Sequence, residues 1–297
     1  MRLRQSATFG LVATLAAVQA FGQLRAHAEL VLINASVADR DGRFVTGLDA
    51  SQFQVFDEKR PVAIRSFSMD DAPVTTIILL DASESMKRNI AHARAGLSRY
   101  LSAAIPGDEF CLIAFAKNVS NPCGFTANTE AVQQQAANAV PNGRTTLVDA
   151  LMLGLNEIKK GRNARKVLLI LSDGIDTGSR YNWRKARRLA EETNACLYAV
   201  VPKSWDDRDG HSLRHLEQVV ETTGGALYEI TDGKSYPAFL NELDIRRQYL
   251  IGFTPSQPAR DGKYRRVNVQ LSGAGKTNMR VHWRRGYYAS DENYGRP

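Results

Sequence analysis

Cysteine is scarce in this 297-residue sequence: Cys111, Cys123 and Cys196 are too few for a disulfide framework and too scattered for a zinc site. Long apolar runs are equally scarce. Beyond the N-terminal stretch no segment is long enough to cross a bilayer, so a mature chain without a transmembrane segment is expected. Signatures of catalysis are missing too. There is no G-x-S-x-G elbow and no evident pairing of a nucleophilic cysteine with histidine. His211 and His215 share one helix face but lack the glutamate of H-E-x-x-H, and they read as surface histidines. No nucleic-acid recognition motif is present. Enzyme and nucleic-acid-binding classes are therefore disfavoured. What is abundant is ordinary globular material, 43% hydrophobic and 24% charged residues, enough for one large domain or two smaller ones.

Residues 1–28 have the charge, order and length of a secretory signal: Arg2 and Arg4, an apolar stretch from Ala7 to about Gly22, and the small-x-small site Ala26-His27-Ala28. An uncleaved membrane anchor is the other reading, against which stands the shortness of the apolar run. No cysteine near the cleavage point indicates lipid attachment. The expectation is an exported protein, periplasmic or secreted. In an oxidising compartment Cys111 and Cys123, placed almost symmetrically about "AKNV", could be bridged across a hairpin. A lone buried thiol is the alternative.

Short apolar runs alternate with helical patterns through the middle of the chain. "VTTIILLD" (74–81), "FCLIAF" (110–115), "KVLLILSD" (166–173) and "CLYAVV" (196–201) are apolar on both faces, as strands covered on both sides are. Between them, helical spacing links Ile90, Ala93, Leu97 and Leu101, then Leu147, Leu151, Leu155 and Ile158. It recurs in Trp183, Ala186 and Leu189, then in Leu216, Val219 and Val220. Gly161 and Gly224 stand where helices should end. Such alternation predicts an α/β fold, a Rossmann-like doubly wound and mostly parallel sheet, whose ligand sites lie at the carboxyl ends of the strands.

That rule focuses on one edge. Asp81 closes the first strand and Ser83 and Ser85 alternate after it; Asp173 ends another strand on the same edge; Thr145 lies in a loop before a helix. Each serine alone would read as a cap or turn residue. Together, two carboxylates and three hydroxyls form an all-oxygen set suited to a hard divalent ion and poorly suited to zinc or copper. So few side chains leave room in the coordination sphere for water or a partner's carboxylate.

D-A-S-E-S (81–85), G-R-T (143–145) and S-D-G (172–174) resemble the metal-ion-dependent adhesion site of von Willebrand factor A domains, over roughly residues 73–245. The resemblance implies that Asp81, Ser83 and Ser85 take the D-x-S-x-S roles, Thr145 the threonine role and Asp173 that of the second-loop aspartate. The implied ion is Mg2+, with Mn2+ or Ca2+ as alternatives. The implied ligand is a protein or peptide offering an Asp or Glu carboxylate. Glu84 and Arg144 depart from the family pattern, where glycine is frequent. The flanks, 29–72 and 246–297, look like a bacterial branch of exported proteins of this kind.

Those flanks read as strands, Leu30 to Ala38, Phe53 to Phe56 and Val62 to Met69 on one side, Tyr249 to Phe253, Tyr264 to Leu271 and Met279 to Trp283 on the other. Paired, they would form a small sandwich-like module joined because the ends of an inserted domain lie close together. "SGAGKT" (272–277), which ends like a phosphate-binding loop, reads better as a hairpin turn between two of these strands. From Arg246 to Arg285 the chain carries ten Lys or Arg and one acidic residue, Asp261. Such a basic face is either a solvated surface or a contact for anionic envelope polymers or an acidic protein. The leading functional expectation is a metal-dependent interaction module. A structural envelope scaffold whose metal only staples loops is the alternative, and a hydrolase ranks last, since an aspartyl nucleophile of the D-x-D type would need a carboxylate where Ser83 stands.

Overall fold

The computed structural model describes residues 30–40, 44–69, 72–120, 124–202, 210–230, 248–257, 261–273 and 279–289. The expected signal and Cys123 lie outside them. In chain order the strands are β1 (Val31–Ala38), β2 (Phe53–Asp57), β3 (Arg60–Val62), β4 (Ile64–Ser68), β5 (Val74–Asp81), β6 (Glu109–Phe115), β7 (Arg165–Leu171), β8 (Ala195–Pro202), β9 (Leu227–Ile230), β10 (Tyr249–Phe253), β11 (Tyr264–Leu271), β12 (Arg280–Trp283) and β13 (Gly286–Tyr288). The α-helices are α1 (Ile90–Ser102), α2 (Thr129–Asn138), α3 (Leu147–Glu157), α4 (Trp183–Glu192) and α5 (Gly210–Thr222).

Strands β5 to β9 form a parallel five-stranded sheet in the order β6-β5-β7-β8-β9. Every residue of β5 is buried, which is what a central strand covered on both faces requires. Ile78 and Leu80 pack with α1 and α2 on one face, while Ile77 and Leu79 pack with α3, α4 and α5 on the other. Gly154 lets α3 lie close to the sheet, since a Cβ there would stand 3.1 Å from both Leu79 and Leu168. The chain leaves β5 in one direction to reach β6 and in the other to reach β7. The carboxyl ends of β5 and β7 therefore flank the topological switch point, where doubly wound sheets hold their ligands.

The flanking strands build two antiparallel four-stranded sheets, β12-β1-β10-β4 and β13-β11-β2-β3. Ile33, Val37, Ile251 and Phe253 from one meet Phe53, Val55, Val267 and Val269 from the other in a single core, so the module is a sandwich. Two expectations are corrected here. The stretch Val62 to Met69 is not one strand: the chain changes sheet at Ala63, β3 pairing with β2 and β4 with β10. And the strands on either side of "SGAGKT" are not hairpin partners, because β11 pairs with β2 and β13 while β12 pairs with β1 in the opposite sheet; residues 274–278 themselves lie outside the described residues. Helix α2 was not anticipated because only Val132 and Ala136 are buried along it, too weak a stripe to read.

Sandwich and parallel-sheet domain are tightly joined. Arg285 N–H donates to the Thr222 carbonyl at 3.0 Å, and Arg284 Nη2 donates to the Glu191 carbonyl at 2.8 Å, placing a cation against the carbonyl end of α4. Gly224, at φ +85, fits where any Cβ would fall 2.5 Å from the Arg284 nitrogen.

Candidate metal site

Asp81, the last residue of β5, is 0% exposed. Its Oδ1 accepts a hydrogen bond from the Ser83 N–H at 2.8 Å, and its Oδ2 accepts one from the Ser172 hydroxyl at 2.6 Å. The first closes the turn that an aspartate at this position favours. The second comes across the switch point from the end of β7. The Ser83 and Ser85 hydroxyls lie 3.0 Å apart. Ser83 is buried and Ser85 exposed, so the pair leads from the buried carboxylate to the surface.

Two further loops are laced to this turn. Asn142 N–H donates to the Ala82 carbonyl at 2.9 Å and Glu84 N–H to the Gly143 carbonyl at 3.1 Å. Thr145 follows, 3% exposed. Its N–H donates to Thr177 Oγ1 at 3.0 Å, and its carbonyl accepts from the Thr177 N–H at 3.0 Å. The Thr146 hydroxyl instead donates to the Ala116 carbonyl at 2.8 Å, whereas the Thr145 hydroxyl has no partner among the described residues. Asp173 stands half-buried past the end of β7, its Oδ1 accepting from the Ile175 N–H at 3.0 Å. Among the described residues neither Thr145 nor Asp173 bonds directly to Asp81, Ser83 or Ser85. Glu84 and Arg144, the two departures from the family pattern, are exposed, and Glu84 pairs with Lys87 at 3.4 Å.

Sequence reasoning assigned no role to Ser172, Asp149 or Asp176. Ser172 both holds Asp81 and accepts from the Gly174 N–H at 3.1 Å. Asp149, in the first turn of α3, accepts from the Arg180 and Tyr181 N–H groups at 2.9 and 3.0 Å. Asp176 accepts from the Val148 N–H at 3.3 Å. These bonds fasten the loop after β7 to the start of α3, in line with the preference of carboxylates for helix N-termini. The signal was the density of Ser, Asp and Gly in "SDGIDTGS", which announces a structured loop but not which bond each residue makes.

Burial pushes the Asp81 carboxyl up to about 6; the hydrogen bonds from Ser172 and Ser83 pull it back in part, and the negative charge of Asp173 raises it again. Among the described residues no cation offsets it. One lone pair of each carboxylate oxygen serves a protein donor, leaving others to face an ion. Oxygen donors of this kind fit a hard divalent cation. No group of three or more His, Cys, Asp or Glu gathers anywhere among the described residues, so an ion here would lean on neutral hydroxyls and on ligands from outside.

Residues 76–175 match the family model for the von Willebrand factor type A domain, a span that contains Asp81, Ser83, Ser85, Thr145 and Asp173. Over that span the chain is similar to the von Willebrand factor type A family. Among solved structures it is similar to a von Willebrand factor type A protein from Catenulispora acidiphila, at 13% identity over 91% of this chain and 76% of that one, with a TM-score of 0.51. It is also similar to the pilus adhesin SpaC from Lactobacillus rhamnosus GG in an open conformation, at 11% identity over 83% of this chain and 49% of that one, with a TM-score of 0.50. At these identities the likeness is one of fold. No curated protein matches the sequence.

Proposed function

We propose that this chain is an exported, non-enzymatic interaction module that binds a protein or peptide partner through a divalent cation, Mg2+ first among candidates. Asp81, Ser83 and Ser85 hold the ion, with Thr145 and Asp173 completing the protein's share directly or through water, and the partner supplies an Asp or Glu carboxylate. The observation that carries this reading is Asp81 itself. A buried carboxylate held only by neutral donors, with a second carboxylate adding to its repulsion, is a costly arrangement that a bound cation relieves. The rim supports an acidic partner, since Lys117, Arg144 and Arg180 are all exposed around the three loops. Export rests on the N-terminal signal; among the described residues no helix is long and apolar enough to cross a membrane.

Calorimetric titration of the mature protein with Mg2+, Mn2+ and Ca2+, beside Asp81→Ala and Asp173→Ala variants checked for folding, tests the proposal. Saturable binding by the wild type that disappears in folded variants is expected. A wild type that binds none of the three ions would remove the mechanism and leave a scaffold insensitive to chelators.

A further inference from the structure

We infer that the cleft at the seam between the sandwich and the parallel-sheet domain binds an anionic oligosaccharide. This site lies away from Asp81 and does not depend on the metal. The cleft measures about 770 Å³ and is walled by the outer face of β11 and β2, by the 283–285 connection, and by Arg187 of α4 and Thr222 of α5.

Its chemistry follows from strand alternation. Along β11, Val267 and Val269 point into the sandwich core, so Tyr264, Arg266, Asn268 and Gln270 share the opposite face. That face presents a cation and two side-chain amides at regular steps of roughly 7 Å, every second residue of an extended strand. Cations converge on it from three other places, Lys59, Arg187 and Arg285. Arg187 pairs with Glu191 at 3.2 Å, but Lys59, Arg266 and Arg285 form no ion pair among the described residues. The one carboxylate among the described lining residues, that of Glu58, accepts the Arg266 backbone N–H at 2.5 Å.

Two features show that this arrangement is held in place. Half-buried Arg285 lies over the Trp283 ring, its Cζ 3.9 Å from the centroid, and the indole N–H is anchored to the Val267 carbonyl at 2.8 Å. The guanidinium is thus oriented by a ring rather than neutralised by a carboxylate, and its charge remains for a ligand. The β2–β3 turn, moreover, places Glu58 and Lys59 at φ +47 and +68, the left-handed region where such hairpins normally take Asn-Gly or Asp-Gly. Both strained residues line the cleft, and backbone strain of this kind gathers at ligand sites.

Cations alone would serve any small anion. Interleaved amides, which both donate and accept, and the Phe56 and Tyr264 rings in the lining suit the hydroxyls and apolar faces of sugar rings carrying carboxylate or sulfate groups.

Titration of the full chain in EDTA with hexagalacturonate and with a heparin hexasaccharide tests this, maltohexaose and hexaglutamate serving as controls. Binding of at least one anionic sugar is expected, with maltohexaose about tenfold weaker or more. The double variant Arg266→Gln/Arg285→Gln should weaken it about tenfold. Arg99→Gln/Lys159→Gln, the same change of charge at exposed sites elsewhere, should stay within about twofold, since screened surface charge contributes little. Lys59→Gln, on an exposed turn outside the Trp283 stack, should weaken binding in the same direction and guards against misfolding of the double variant. Which sugar binds separates carboxylate from sulfate recognition. Binding of neither, equal loss in both double variants, or equally tight and cleft-dependent binding of hexaglutamate would each overturn the inference, the last in favour of an acidic protein segment. Asp81→Ala should leave this binding unchanged, so failure here is distinct from failure of the metal reading.

Discussion

Replacing Asp81 by Asn should stabilise the metal-free protein at neutral pH while abolishing its response to metal. The carboxyl is raised from 3.8 to about 6, chiefly by burial. A shift of about two units corresponds to roughly 3 kcal/mol between protonation states. Because the folded-state value is the higher one, the contribution to stability is fully present below the unfolded value and is lost as pH rises through about 6. Asparagine carries no charge to desolvate, but its amide cannot accept the Ser172 hydroxyl as Oδ2 does, a mismatch of about 1 kcal/mol. The variant in EDTA should therefore be more stable than the wild type by about 2 kcal/mol at pH 7.5 and no more stable near pH 4. Denaturant unfolding across that range measures it. With Mg2+ at a hundred times its dissociation constant the wild type should gain about 2.7 kcal/mol and the variant nothing. A wild type that is the more stable protein in EDTA at pH 7.5, or a difference independent of pH, would refute the reasoning.

Two further outcomes follow from the same geometry. Ser172→Ala removes the hydroxyl that orients Asp81 without removing any proposed ligand, and titration should show metal affinity reduced about tenfold to a hundredfold, as loss of supporting hydrogen bonds does elsewhere. Thr145→Ala and Thr146→Ala should separate binding from stability: the first loses metal affinity with little change in unfolding, whereas the second loses its bond to Ala116, costs about 1 kcal/mol, and leaves metal titration within about twofold.

Much of the fold could be read before any coordinate. β5, β10 and β11 begin and end where their apolar patterns do, and β7 and β8 differ by a residue or two. Such strands are legible because burial on one or both faces is written into windows of five to eight residues. Helix α2 escaped because two buried residues make no pattern, and the break at Ala63 escaped because local propensity does not say which sheet a strand joins.

The site divides along the same line. Asp81, Ser83 and Ser85 are near neighbours in sequence, and a strand end followed by alternating small polar residues already implies a shared direction. That Ser172 would donate to Asp81 could not be read, since 91 residues separate them and only the parallel pairing of β5 with β7 brings the two strand ends together. The same holds for the Thr146 hydroxyl, taken up by a carbonyl from the loop after β6. It holds most fully for the seam cleft, where a turn after β2, a helix, one face of β11 and the segment before β13 meet. The sequence by itself determined which residues are buried and which short motifs are polar, because those depend on local periodicity. Only the tertiary structure decided which polar groups satisfy one another and which cations are left facing open space, because those depend on contacts between segments far apart in the chain.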